Sequence, residues 1–215
     1  MSSSSCPNFQ LDQWYPATAL TPAPPQLHQW LSDGGSLTAR LVAHSQGQFA
    51  VQVLSQRWGR CHLSEANALG IAPRARVLVR EVILRGKGQP WVYARSILPW
   101  QSLTGPLRRL RRFDAQPLGG WLFRQPSLQR HPMQASCFAP GDKRLGRALK
   151  EQLSEWPLTK PLWGRRSVFS VYGKPLLVGE VFLPDFVATL APKDPPPQLE
   201  LYVPSTSQEE DCHYA

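Results

Sequence analysis

Four stretches of the chain alternate apolar and polar residues with a period of two: RVLVREVIL (76–84), WVYARSILP (91–99), RRSVFSVY (165–172) and LLVGEVFLP (176–184). That period predicts β-strands. RGKGQP joins the first two and GKP the last two, so each pair reads as a hairpin. QFAVQVLSQRW (48–58) alternates as well and predicts a further strand. Other segments carry helical spacing. Leu27, Trp30 and Leu31 share one face in PQLHQWLSD. GGSLTARLVAHS follows a Gly-Gly break, with Ser36 placed as an N-cap. LSEANALG is a short helical turn closed by Gly70. In SLTGPLRRLRRF, Leu107, Leu110 and Phe113 form an apolar stripe at i, i+3, i+6, and Pro106 suits a helix start.

The two hairpins echo each other. Each has Gly-Lys at its turn, and each second strand runs from a proline to another nine residues on, Pro90 to Pro99 and Pro175 to Pro184. The fifth residue after the first proline is Arg95 in one and Glu180 in the other. Duplication, or the common needs of hairpins, accounts for the echo. Adjacent elements of this kind pair antiparallel, so the predicted architecture is α+β: a single antiparallel sheet with helices packed on one side. Residues 1–25, rich in Ser and Pro, predict a flexible N-terminal segment; 26–184 form one domain; 185–215, proline-rich then acidic, form a peripheral tail. Residues 126–162 are the least readable: GDKRLGRALKEQLSEW has helical spacing but no assignable core.

Three charges sit on otherwise apolar strand faces. Arg80 alternates with Leu78, Val82 and Leu84; Arg95 with Trp91, Tyr93 and Ile97; Glu180 with Leu176, Val178 and Phe182. An unpaired buried charge costs several kcal/mol, so each needs a partner. One solution is a structural ion pair, such as Arg80 with Glu180. The other is a cavity against the sheet in which arginine grips a substrate carboxylate through its planar fork. Two arginines against one glutamate leave a positive charge that an anion would satisfy. QPLGGWLF reads as a turn into a helix or an extended segment; a helix starting near Leu118 would offer free N–H groups to a carboxylate.

Composition narrows the partners. The chain has 215 residues, enough for one domain, and a net charge of +9 carried more by arginine than lysine. This balance suits a polyanion or a small carboxylate- or phosphate-bearing substrate. RRLRR (108–112) reads as a solvated helix face or a phosphate contact, and the arginines after Trp163 as the rim of a pocket. No helix-turn-helix, zinc-finger spacing, G-x-S-x-G elbow or Walker loop accompanies them, and RGKGQP is a hairpin turn, not a dinucleotide fingerprint. The five histidines are dispersed and the four cysteines lack metal-ligand spacing, so no cofactor or metal is predicted. With no long apolar run and no signal peptide, the expected setting is the reducing cytoplasm.

The ordered set LVREVILRGKGQPWVYARSILP, PLGGWLF and WGRRSVFSVYGKPLLVGEVFLP resembles the chorismate pyruvate-lyase family, over about residues 27–184. That resemblance implies a monomeric, cofactor-free domain with a closed internal cavity, converting chorismate to 4-hydroxybenzoate and pyruvate in bacterial ubiquinone synthesis. The family's carboxylate-binding arginine falls on Arg80, its backbone N–H contact on Leu118, its pocket glutamate on Glu180 and its second pocket arginine on Arg95. A backbone-contributing position, commonly Met in the family, falls on Leu37. The resemblance implies catalytic roles for Arg80, Arg95 and Glu180, and substrate binding by Leu37, Arg80, Leu118 and Glu180. The competing readings are a non-catalytic domain for a small aromatic acid, and a basic nucleic-acid-associated protein.

Overall fold

The computed structural model describes residues 13–19, 22–139, 142–153 and 161–190. The tail beyond 190, and part of the 141–156 helical pattern, lie outside them. The predicted hairpins form as β3 (Val77–Gly86) with β4 (Gln89–Pro99) and β7 (Leu162–Val171) with β8 (Lys174–Phe182). Each closes on two residues of positive φ, Lys87 (52°) with Gly88 (78°) and Tyr172 (50°) with Gly173 (69°). Two such residues make the turn whose twist matches that of the flanking strands. Gly-Lys therefore occupies different turn positions in the two hairpins.

β4 pairs with β8, which joins the hairpins into one antiparallel sheet. β2 (Phe49–Gly59) adds beyond β3, and β6 (Gln134–Phe138) and β1 (Tyr15–Pro16) beyond β7. The strand order is β1-β6-β7-β8-β4-β3-β2, with β5 (Gln129–Arg130) also pairing with β7. The sheet and core extend past both boundaries read from the sequence. Tyr15 pairs with Ala135, and Phe186 in α6 (Pro184–Thr189) is fully buried against Trp30, Trp91 and Phe182.

Four helices cover one face: α1 (Pro25–Ser32), α2 (Leu37–His44), α4 (Leu118–Leu122) and α6. Ser36 caps α2 as predicted, its Oγ accepting from the Ala39 N–H. Leu107 and Leu110 of the stripe lie in a 3₁₀ helix, Gly105–Arg112, with Phe113 at its C-cap, and a short 3₁₀ helix at Trp100–Ser102 precedes it. A spacing of three eclipses side chains in a 3₁₀ helix, so an i, i+3, i+6 stripe gives it a clean buried edge. Helices are not confined to this side. α3 (Leu63–Leu69) and α5 (Arg147–Leu153) cover the other face, where Leu145 and Leu149 pack with Ile83, Tyr93 and Val181. Those contacts give the unreadable middle segment its core.

Candidate active site

On the first face, two apolar clusters leave a polar seam between them. Cross-strand register fixes its content. Arg80, Ser96, Val178 and Ser167 form one row across β3, β4, β8 and β7. Val82, Ala94, Glu180 and Arg165 form the next. One cluster, around Leu27, Leu37, Trp91 and Phe182, lies on one side; the other, around Leu107, Phe113, Leu118 and Trp121, lies on the other. Val178 and Glu180 stay only half-buried although β8 is an interior strand.

Arg80 is 2 % exposed. It has no carboxylate within ion-pair distance among the described residues. Its Nε donates to the Phe113 carbonyl at 3.1 Å, and its Nη2 to the carbonyls of Asp114 and Gln116 at 2.8 and 2.9 Å. Nη1 donates to none of the described residues. Burial pushes its pKa down to about 10, with the Asp114 charge opposing. The same contacts carry the chain from the 3₁₀ helix into α4, which begins two residues after Gln116 at Leu118. PLGGWL is thus a helix start, and the Leu118 N–H, lying in its first turn, has no acceptor among the described residues. A Cβ on Gly119 would lie 2.8 Å from Thr38 Oγ1, so glycine lets α4 approach the start of α2 at Leu37. Arg80, Leu118, Leu37 and Glu180 therefore border one seam.

Glu180 has a partner that the sequence reading assigned elsewhere. Arg165, 1 % exposed, donates through Nε to Glu180 Oε2 at 2.7 Å, and through Nη1 to the Trp30 and Asp33 carbonyls at 2.6 and 2.9 Å. The ion pair is Arg165–Glu180, not Arg80–Glu180, and Arg165 lies under α1, not on a rim. The alternation of polar residues in RRSVFSVY held the signal: Arg165 and Ser167 fall on one face and Arg166 on the other.

Arg95 is corrected. Pro90 pairs with Arg85 but Val92 with Leu84, leaving Trp91 as an extra residue in β4. Such a bulge flips every later side chain relative to the partner strand. Without it Arg95 would oppose Arg80; with it Arg95 opposes Glu81, on the far face of the sheet. Trp91 accordingly joins the cluster on the near face and does not share a side with Tyr93 and Arg95. Gly86 makes room, since a Cβ there would lie 2.2 Å from the Trp91 ring.

On the far face Arg95 is already saturated. Nε and Nη2 donate to Glu65 at 2.8 and 3.3 Å, and Nη1 to Glu81 Oε1 at 3.0 Å. Burial works against its charge, but the Glu65 hydrogen bonds and charge, with Tyr93 and Glu81, outweigh it and raise its pKa. Burial, then the Glu81 charge and hydrogen bond, raise the Tyr93 pKa. The cavity beside Arg95, lined by Trp14, His62, Glu65, Arg144 and Arg166, measures about 40 Å³, room for little more than a water or two. In RRLRR, Arg108, Arg109 and Arg112 stay exposed, as a solvated face requires, and only Arg111 is drawn in. Arg111 lies over the Trp100 ring at 4.4 Å and donates to the Leu103 carbonyl, and Arg109 lies 5.9 Å from Trp121.

The chorismate lyase family profile matches residues 9–189. The chain is 40 % identical over 161 residues to the "Probable chorismate pyruvate-lyase" of Aromatoleum aromaticum, covering 75 % of this chain and 86 % of that protein. It is 39 % identical over 179 residues to the protein of the same name in Chromohalobacter salexigens, covering 83 % and 92 %. In architecture it is similar to the effector domain of PhnF from Mycobacterium smegmatis, with a TM-score of 0.51, 19 % identity, and coverage of 70 % of this chain and 90 % of that one. That likeness concerns fold alone. The chain belongs to the chorismate lyase family.

Proposed function

We propose that this protein is a cytoplasmic chorismate pyruvate-lyase that forms 4-hydroxybenzoate and pyruvate without a cofactor, at the head of ubiquinone synthesis. The observation that carries the reading is Arg80: a buried guanidinium, met by carbonyls and no carboxylate among the described residues, sharing a sheet face with Glu180. Two strand spacings and one step of the pleat separate them, about 12 Å between Cα atoms. With both side chains reaching inward, a six-membered ring with para substituents spans that gap. Its carboxylate meets Arg80 and the Leu118 N–H, and its hydroxyl meets Glu180.

Chorismate is a dianion, with one carboxylate on the ring and one on the enolpyruvyl ether. Loss of the ether at C3 and the proton at C4 makes the ring aromatic, and aromatisation drives the reaction. The protein's work is to orient the dianion, exclude water and stabilise the departing enolpyruvate. Arg165 holds the Glu180 carboxylate at one end, where it accepts the 4-hydroxyl hydrogen bond and stands beside the C4 proton. The proton ends on the enolpyruvyl methylene, giving pyruvate.

The test is to incubate purified protein with chorismate, without metal or cofactor, and follow both products. Equal amounts of 4-hydroxybenzoate and pyruvate are expected. Pyruvate accompanied by another aromatic product, or tight 4-hydroxybenzoate binding with no turnover, overturns the reading.

A further inference from the structure

Resting on that reading, the second carboxylate of the dianion still needs a cation. Arg95 is on the wrong side of the sheet, and Arg165 is paired with Glu180. Arg130 also lies on the near face. Arg130, at the end of β5, lies beside β7 through the Arg130–Phe169 pairing. Its Nε donates to Ser167 Oγ at 2.9 Å, and Ser167 stands in the same cross-strand row as Arg80, three strand spacings or about 14 Å away. Nη1 donates to the carbonyls of Gly34, Gly35 and Asp33 at 2.8, 3.3 and 3.5 Å. Nη2 has only the Met133 thioether, at 3.2 Å, and sulfur is a weak acceptor. No carboxylate lies within ion-pair distance of Arg130 among the described residues. Burial lowers its pKa, the neighbouring Arg165 charge adds to that, and Glu180 and Asp33 oppose it.

The charge on this face matches the substrate. Arg80, Arg130 and Arg165 bring three positive charges and Glu180 one negative; Asp33 is cancelled by Arg40 at 2.9 Å. Among these groups positive charge exceeds negative, which suits an anionic ligand. The positive groups are also divided, with Arg80 at one end of a row and Arg130 at the other, and Ser96, Val178 and Ser167 between them.

We propose that Arg130 receives the substrate's second carboxylate, the one that leaves with pyruvate, whose oxygen takes the place of the Met133 sulfur as the acceptor for Nη2. Its Nη1 stays on the 33–35 carbonyls, so the cation is braced at one end and available at the other. Arg130 thereby selects the dicarboxylate substrate over the monocarboxylate product, and it loses its ligand once pyruvate departs.

The experiment compares Arg130→Gln with the parent in two measurements: kcat/KM for chorismate, and the equilibrium affinity for 4-hydroxybenzoate by tryptophan fluorescence or calorimetry. The inference expects kcat/KM to fall at least about 30-fold, the low end for truncating one partner of a buried charge pair. Product affinity is expected to stay within about threefold. An equal fall in both shows that Arg130 only braces the 33–35 loop, and no fall in either shows that it is a bystander; both overturn the inference. If Arg130→Gln does not fold, Arg130→Lys keeps the charge but loses the fork, and the same split between chorismate and product decides. A parent that never turns over chorismate removes the functional reading itself, a result distinct from an active parent with an indifferent Arg130 variant.

Discussion

A guanidinium is expensive to bury, and Arg80 and Arg95 show two ways of keeping one. Arg95 is neutralised by two carboxylates, Glu65 and Glu81, at 2.8 and 3.0 Å. Removing it leaves Glu65 without this cation and Glu81 with only the distant Arg57 at 4.0 Å, so Arg95→Ala should cost about 3–5 kcal/mol of stability, read from urea unfolding. The folded fraction should still bind 4-hydroxybenzoate with parental affinity, because the sheet stands between. Loss of binding with stability intact would return Arg95 to the ligand. Arg80 has only carbonyls for hydrogen-bond acceptors among the described residues, which solvate its charge without cancelling it. At the other end of the seam, Glu180→Gln keeps shape and one acceptor while losing the charge. We expect kcat to drop by about 10²-fold or more, with product affinity little changed. A kcat within a few-fold of the parent would assign the C4 proton to direct transfer within the substrate.

At the scale of elements, the hairpins, the α2 cap and the three-residue stripe were legible because each follows from local chemistry: alternation, a serine hydroxyl, an eclipsed apolar edge. What was not legible depends on register and on distant partners. Nothing in WVYARSILP announces that Trp91 is an extra residue; the clue is Gly86, across the turn, where a side chain would strike the indole. Gly86→Ala should therefore destabilise by about 1–3 kcal/mol through overpacking. Adding Trp91→Ala should cost less than the sum of the two changes, because the second removes the clash created by the first. A strictly additive pair, measured by urea midpoints, would separate Gly86 from the bulge. Likewise, Arg80 and Glu180 could be placed on inward faces from alternation. The Arg165–Glu180 pair and the Arg130 contacts join residues on different elements, and charge pattern alone does not choose among eighteen arginines. The middle segment was opaque because Leu145 and Leu149 need strands from both hairpins to form their core.

Across the whole molecule, the sheet separates two ionic systems, and pH should act on them differently. On the far face, burial holds the His62 pKa below its ordinary value of 6.5; the Glu65, Glu81 and Asp142 charges pull it up, and Arg95 pushes it further down. A base depressed in the fold binds fewer protons there than in the unfolded chain. Its contribution is complete above about pH 6.5 and is lost as pH falls from there toward the folded value. Urea midpoints should decline across that interval and flatten in His62→Gln; an unchanged slope would place the sensitivity elsewhere. The bulge at Trp91 has a consequence for how relatives are compared. Strand parity, not the letter in an alignment column, decides which compartment a side chain enters. A chain that matches this one residue for residue, yet lacks a single amino acid between 84 and 92, would carry its cation of position 95 to the face that holds Arg80 and Glu180 and strip the counter-charge from Glu65 and Glu81. One deleted codon would exchange a stabilising brace for a binding group.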